Sequence, residues 1–154
     1  MSERILVGSR AGFGVEIAVR SLVGGVWADV FWWIGGESLG REENAIALYA
    51  LLGTLDGLLI QASRNSIASG VSSFQASALW DDFETVGRKY SLDSSEFFDR
   101  YEMYCVSDEQ FARFLWKDRY LELPVLHDVS VPLGEVLRSL KDPHVVHERL
   151  SRES

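Results

Sequence analysis

The chain has 154 residues, of which 47% are hydrophobic and 25% charged, and its formal net charge is −8. This length and composition exclude a disordered chain and predict one globular domain with a buried core. The acidic balance argues against a nucleic-acid binder, because phosphate contacts need clustered Lys and Arg. The longest uncharged apolar run, residues 45–55, is too short to span a bilayer, and the first residues lack the apolar segment of a signal peptide. We therefore expect a soluble cytoplasmic protein that does not bind a membrane.

The N-terminal third has the pattern of a β-hairpin. Apolar residues alternate with polar or small ones over residues 13–20, and Gly24-Gly25 is typical of a tight turn before a second strand at 26–34. Counting outward from that turn predicts an ion pair across the strands between Arg20 and Asp29. The same register aligns three apolar pairs, Val19 with Val30, Ile17 with Trp32 and Val15 with Ile34. A second turn at Gly35-Gly36 leads to a short third strand that ends at Leu39.

The centre of the chain predicts helices on either side of a loop. Glu42, Glu43 and Asn44 precede an apolar stripe at helical spacing that ends near Gln61. Residues 63–77 contain six serines and predict a flexible loop. Beyond it, helical spacing predicts a helix from residue 77 to 90, and a second short helix follows at 94–100. The apolar face of the first consists of Leu79, Phe83, Val86 and Tyr90.

The last third predicts strands followed by two closing helices. Residues 101–106 have a strand-like pattern, and Ser107-Asp108-Glu109-Gln110 is a capping box that predicts a helix over the next residues. Strands are expected at 119–123 and 125–131, a helix that begins at Pro132, and a loosely docked helical tail at 143–154. These elements predict a single α+β domain over residues 1–154. Its small antiparallel sheet begins with the N-terminal hairpin and packs against several helices as one pair of layers.

Negative charge is concentrated between residues 81 and 109. This stretch holds nine acidic side chains against three basic ones, with six aromatic side chains among them. An acidic surface with exposed rings can capture a basic protein, since charge speeds association and aromatic side chains act as buried anchors. The alternative is that the acids keep the outer faces of helices soluble while the rings point into the core. Charge alone leaves both interpretations open.

Candidates for catalysis and metal binding are weak in this sequence. Asp81 and Asp82 are adjacent carboxylates without signs of an apolar pocket around them, and the pair His144 and His147 lacks a third ligand. His127 falls on an apolar face, as core histidines do. The single cysteine, Cys105, lies in an apolar run where a buried thiol is expected. No phosphate-binding loop, dinucleotide-binding glycine pattern or nucleophile elbow is present. We predict no catalytic residues, no metal and no cofactor.

Three segments carry a resemblance to a known family. They are the strand Phe13-Gly-Val-Glu-Ile-Ala-Val, the segment Val30-Phe-Trp-Trp-Ile-Gly-Gly-Glu-Ser-Leu-Gly, and the late segment Asp128-Val-Ser-Val-Pro-Leu-Gly-Glu-Val-Leu. With the apolar helix between them, they resemble immunity proteins of bacterial polymorphic toxin systems, in particular the family numbered forty-two. The likeness covers residues 13–60 and 126–140. It implies a single α+β domain that binds and blocks one cognate toxin without catalysis, and it assigns no site residues.

Three hypotheses follow for the function. The first is an immunity protein, monomeric or homodimeric, that covers the active or substrate-binding surface of a basic toxin. Its proposed contacts are an anchor and six carboxylates: Trp80, Asp81, Asp82, Glu84, Glu96, Asp99 and Glu102. The second is a small enzyme or ligand-binding domain with a pocket between sheet and helices, lined by Glu16, Arg20, Asp29 and Trp33. The third is a non-catalytic adaptor that joins a larger assembly through exposed aromatic side chains.

Overall fold

The computed structural model describes residues 3–40, 46–50, 52, 53, 56, 75–86 and 101–153. Its elements in chain order are β1 (Arg4–Gly8), β2 (Phe13–Ser21), β3 (Trp27–Ile34), β4 (Glu37–Leu39), β5 (Ile46–Ala47), α1 (Ala76–Val86), β6 (Tyr101–Ser107), β7 (Phe111–Asp118), β8 (His127–Pro132), α2 (Leu133–Lys141) and α3 (Pro143–Glu153). Residues 48–50, 52, 53 and 56 are also helical. The predicted α+β class is confirmed.

The N-terminal hairpin is part of a five-stranded antiparallel sheet, which we call sheet A. Its strand order is β1-β2-β3-β4, and β5 pairs with the start of β3. Strand β1 was not predicted from sequence. It pairs along β2 with Ile5 opposite Ile17 and Val7 opposite Val15. Strands β2 and β3 are therefore both internal to sheet A.

The register of the β2–β3 hairpin differs from the predicted one by two residues. Val15 faces Trp32 and Ile17 faces Val30, and an irregularity between Val19 and Ser21 leaves Arg20 outside the regular ladder. A shift of two residues keeps every side chain on its predicted face. The predicted ion pair forms for this reason. Asp29 faces Ala18, and Arg20 reaches it diagonally, with its Nε 2.8 Å from Oδ2.

A second antiparallel sheet, sheet B, has the strand order β6-β7-β8. The helix predicted after the capping box is wrong, because residues 111–118 form β7 instead. Asp108 Oδ1 accepts hydrogen bonds from the backbone N–H groups of Gln110 and Phe111, each at 2.8 Å, and this closes a turn between β6 and β7. The same side chain that could cap a helix therefore reverses the chain.

The main core lies between the two sheets. The ring of Phe13 on β2 stacks on that of Phe114 on β7, with centroids 5.5 Å apart, and core residues come from both sheets and from α2 and α3. Helix α2 also holds the β1–β2 connection, because Glu135 Oε1 accepts hydrogen bonds from Ser9 Oγ and from the N–H of Phe13. Helix α1 packs on the other face of sheet B. Sheet B is thus covered on both sides.

Several other predictions can be compared with the described residues. Helix α1 matches its prediction in type but begins at Ala76, inside the stretch predicted as the serine-rich loop at 63–77. Residues 119–123 are turn and bend where a strand was predicted. In the tail predicted at 143–154, Pro143–Glu153 form a helix, and Leu150 of this helix is fully buried in the core. Residues 57–74 and 87–100, with the rest of that loop and the helix at 94–100, lie outside the described residues.

None of the helices in the described part of the chain combines the length and the apolar character needed to cross a bilayer.

Candidate functional site

Helix α1 is seated on sheet B by a small hydrophobic cluster of its own. Leu79 and Trp80 of the helix pack against Tyr104, Val106 and Leu115 of the sheet. The rings of Trp80 and Tyr104 meet edge to face, with centroids 5.0 Å apart and planes at 82°. The ammonium group of Lys117 lies 4.7 Å from the centre of the Trp80 ring. These contacts hold the helix in one orientation on the sheet.

Trp80 is a core residue of this cluster and only 3% exposed. The prediction that Trp80 anchors a partner at the surface is therefore corrected. Its position next to Leu79 on the apolar face of the helix and its size explain the burial, since a large apolar ring gains free energy when it leaves water to pack on an apolar sheet. Its role is to fix the helix that carries the neighbouring carboxylates.

Asp81 and Asp82 follow Trp80 on α1, and both side chains are exposed. Glu102 of β6 lies on the same side of sheet B, because it is two residues from Tyr104 in the alternation of the strand. The hydroxyl of Tyr104 donates a hydrogen bond to Glu102 Oε1 at 3.0 Å. Asp81, Asp82 and Glu102, three of the predicted carboxylates, therefore lie on the side of sheet B that α1 covers, near the Trp80 cluster.

The remaining predicted carboxylates are less well defined. The backbone of Glu84 belongs to α1, three residues beyond Asp81. Glu96 and Asp99 lie outside the described residues. In the rest of the acidic stretch, Asp108 shapes the β6–β7 turn, as described above, and Glu109 is exposed beside it. The described candidate site thus consists of Asp81, Asp82 and Glu102.

The four residues proposed to line a pocket lie elsewhere. Glu16, Arg20, Asp29 and Trp33 occupy the face of sheet A that points away from the core, since their neighbours along the strands are the core residues. Here Glu16, Arg20 and Asp29 form ion pairs, and none of the four lies between sheet A and the helices that pack on its core face. Glu16 Oε2 accepts from Arg4 Nη1 at 2.7 Å, and Oε1 accepts from Arg10 Nε at 3.1 Å. The guanidinium groups lie over aromatic rings, that of Arg4 over Phe31 and that of Arg10 over Trp33.

Each of the three histidines contacts another side chain. The ring of His127 stacks on that of Trp116, with centroids 4.9 Å apart. His144 Nε2 lies 2.8 Å from Asp56 Oδ1, and His147 Nε2 lies 3.4 Å from Ser151 Oγ. Within the described ranges, no three potential metal ligands come together.

Cys105 lies fully buried in the main core, and burial raises the pKa of its thiol to about 12. A thiolate is therefore disfavoured at neutral pH, and the thiol is not a nucleophile in the folded protein. The folded state holds this proton more tightly than the unfolded state. This contribution to stability is complete below the pKa of the unfolded thiol and is lost as the pH rises towards about 12.

We expect the folded protein to resist thiol reagents. Reaction with Ellman's reagent at pH 8 should be at least about a hundredfold slower without denaturant than in concentrated urea, because it requires opening of the core. The measurement is the absorbance increase on labelling, with Cys105→Ala as the control for background reaction. Rapid stoichiometric labelling of the folded protein would contradict this burial.

Comparison of the chain with family models, with curated proteins and with solved structures finds no match. The resemblance to immunity proteins therefore rests on the three sequence segments described above.

Proposed function

We propose that this chain is an immunity protein that binds a cognate bacterial toxin and covers its active or substrate-binding surface. The observation that carries the proposal is the outward display of Asp81 and Asp82 on a helix that is fixed to sheet B. Together with Glu102 they present negative charge from one layer of the molecule. The partner that this chemistry favours is a basic protein surface.

The rigid seating of α1 supports a binding role for these carboxylates. The edge-to-face contact of Trp80 with Tyr104 and the hydrogen bond from Tyr104 to Glu102 link the helix and the strand. Charges held on a packed helix lose little freedom when they meet a partner, so that more of the interaction energy remains as affinity. A toxin that acts on a polyanion offers a basic cleft, which such carboxylates can occupy in place of the substrate.

The proposal predicts that a neighbouring gene encodes the cognate toxin, and the test is binding to the toxin domain of that gene product. The double variant Asp81→Asn, Asp82→Asn removes two negative charges without changing side-chain size. We expect its association rate to fall about tenfold at low salt, and the difference from the wild type to shrink at high salt. Stopped-flow mixing at several salt concentrations measures both effects.

A matched control removes the same charge elsewhere. Glu109 and Glu148 are exposed, on the β6–β7 turn and on α3, and Glu109→Gln, Glu148→Gln should leave the association rate within about twofold of the wild type. Equal losses in the two double variants would mean that net charge, and not this surface, governs association. The absence of any complex between the wild type and the toxin domain at micromolar concentration would refute the proposed function.

A further inference from the structure

The connection between β7 and β8, residues 119–126, exposes an unusual amount of apolar surface. Ten large apolar side chains are exposed in the described part of the chain, and four of them fall in this connection. Tyr120 is 70% exposed, Leu123 86% and Val125 62%, and Leu121 is the fourth. Single exposed apolar residues are common on proteins, but a contiguous group usually marks an interaction site.

The connection begins with a defined turn. Asp118 is buried at the end of β7, and its Oδ1 accepts a hydrogen bond from the N–H of Tyr120 at 3.0 Å. The N–H of Leu121 donates to the backbone oxygen of Asp118 at 3.3 Å. Pro124 restricts the backbone between Leu123 and Val125. Hydrogen bonds thus fix the backbone at Tyr120 and Leu121, and Pro124 restricts it further along, which lowers the entropy lost on binding.

Both ends of the connection touch the cluster beneath α1. At one end the Lys117 ammonium lies over the Trp80 ring, and at the other Leu126 packs against the same cluster. Tyr120 is three residues beyond Lys117, so their Cα atoms are at most about 11 Å apart. The residues that flank the connection therefore lie beside the helix that carries Asp81 and Asp82. We call the six residues Tyr120, Leu121, Leu123, Val125, Asp81 and Asp82 the loop–helix surface.

We propose that the β7–β8 connection supplies the apolar anchors by which the loop–helix surface holds a protein partner. The partner surface that fits pairs an apolar pocket with basic side chains. This inference rests on the proposed function. It supplies an apolar anchor in place of Trp80, which is buried and therefore does not contact a partner. Within the connection the charges of Arg119 and Glu122 offset each other, so the charge that selects a partner is that of Asp81 and Asp82, which repels anionic lipids and attracts a basic protein. A second copy of this chain would bring like charges together, since the net charge is −8.

The two parts of the surface govern different steps of binding. Exposed carboxylates act at long range and set the association rate. Apolar side chains act only in contact, where they lose water and set the dissociation rate. Loss of the apolar side chains should therefore shorten the life of the complex and leave the rate of its formation almost unchanged.

The experiment uses the double variant Leu123→Ser, Val125→Ser with the toxin domain encoded by the neighbouring gene. We expect dissociation to accelerate at least tenfold, with an association rate within about twofold of the wild type. The control, Val23→Ser, Val145→Ser, removes two side chains of similar exposure, 88% and 67%, from the β2–β3 turn and from α3. It should dissociate like the wild type, and both variants should unfold at the wild-type urea concentration.

Each other outcome counts against the inference in a distinct way. An unchanged dissociation rate of the loop variant, with the wild-type complex intact, overturns the anchor role and leaves the proposed function in place. A wild type that forms no complex with the toxin domain overturns both. Loop-dependent binding to phosphatidylglycerol vesicles, or a dimer that the loop variant abolishes, replaces the basic protein partner with a membrane or with a second copy.

Discussion

Replacement of Trp80 by alanine should lower the free energy of unfolding by about 3–5 kcal/mol. The ring is almost fully buried between α1 and sheet B, where it contacts Tyr104 edge to face and underlies Lys117. Truncation leaves a cavity in a cluster of few members, so the helix loses much of what fixes it to the sheet. Urea unfolding followed by far-UV circular dichroism measures the change.

The matched control is Trp27→Ala. Trp27 begins β3 and is 42% exposed, so its replacement should lower the unfolding free energy by clearly less than that of Trp80. The comparison separates a core role of Trp80 from a role at the surface. A Trp80→Ala variant as stable as the wild type, but impaired in binding the toxin domain, would restore the surface anchor and contradict the packing described here.

The elements that could be predicted from the sequence are those with one face towards water and the other towards the core. Strand β2 was predicted because Phe13, Val15 and Ile17 alternate with polar or small residues, and the turn glycines Gly24 and Gly25 both have the positive φ that the turn requires. The ion pair of Arg20 and Asp29 was predicted from its opposite charges. It forms although the observed register differs by two residues, because charged side chains also reach diagonal neighbours.

Strand β7 was not predicted from the sequence because the main core covers one of its faces and the cluster beneath α1 covers the other. Ala112 and Phe114 face the main core, whereas Leu115 faces the cluster beneath α1, and even Arg113 is buried in a bidentate pair with Asp128. A strand buried on both sides shows no alternation of apolar and polar residues. The adjacent Ser-Asp-Glu-Gln then favoured a helix, since Asp108 has the same hydrogen-bonding chemistry in a cap and in a turn.

The candidate site was predicted only in part for a related reason. The spacing of α1 placed Asp81 and Asp82 outward correctly, because helical periodicity defines which face is polar. It could not tell whether Trp80 is an exposed ring or a core ring. Leu121, Leu123 and Val125 fall in the strands predicted at 119–123 and 125–131, and their exposure becomes visible only in the tertiary structure. Pro124 was the one local signal against a regular strand there.

The second large effect concerns the ion pairs on the outer face of sheet A. The Glu16 carboxylate is 2% exposed and is held by Arg4 and Arg10, whose own side chains are about half exposed. The double variant Arg4→Met, Arg10→Met keeps much of the apolar cover and deprives the carboxylate of these two arginine partners. We expect the unfolding free energy to fall by about 3 kcal/mol at pH 8. This value is at the lower end of the range for a buried ion pair that loses one partner, because water can approach Glu16 from the arginine side.

The cause of that loss can be isolated by a third substitution. If the unpaired charge is responsible, adding Glu16→Gln to the double variant should recover at least about half of the lost stability, since an amide is cheaper to bury than a carboxylate. The pair of Arg149 with Glu3 provides the control: its 2.7 Å distance equals that from Arg4 to Glu16, but both partners are exposed. Arg149→Met should therefore cost less than about 1 kcal/mol. If the triple variant is no more stable than the double one, the arginines stabilise sheet A by covering Phe31 and Trp33, and neutralising Glu16 is not their main contribution.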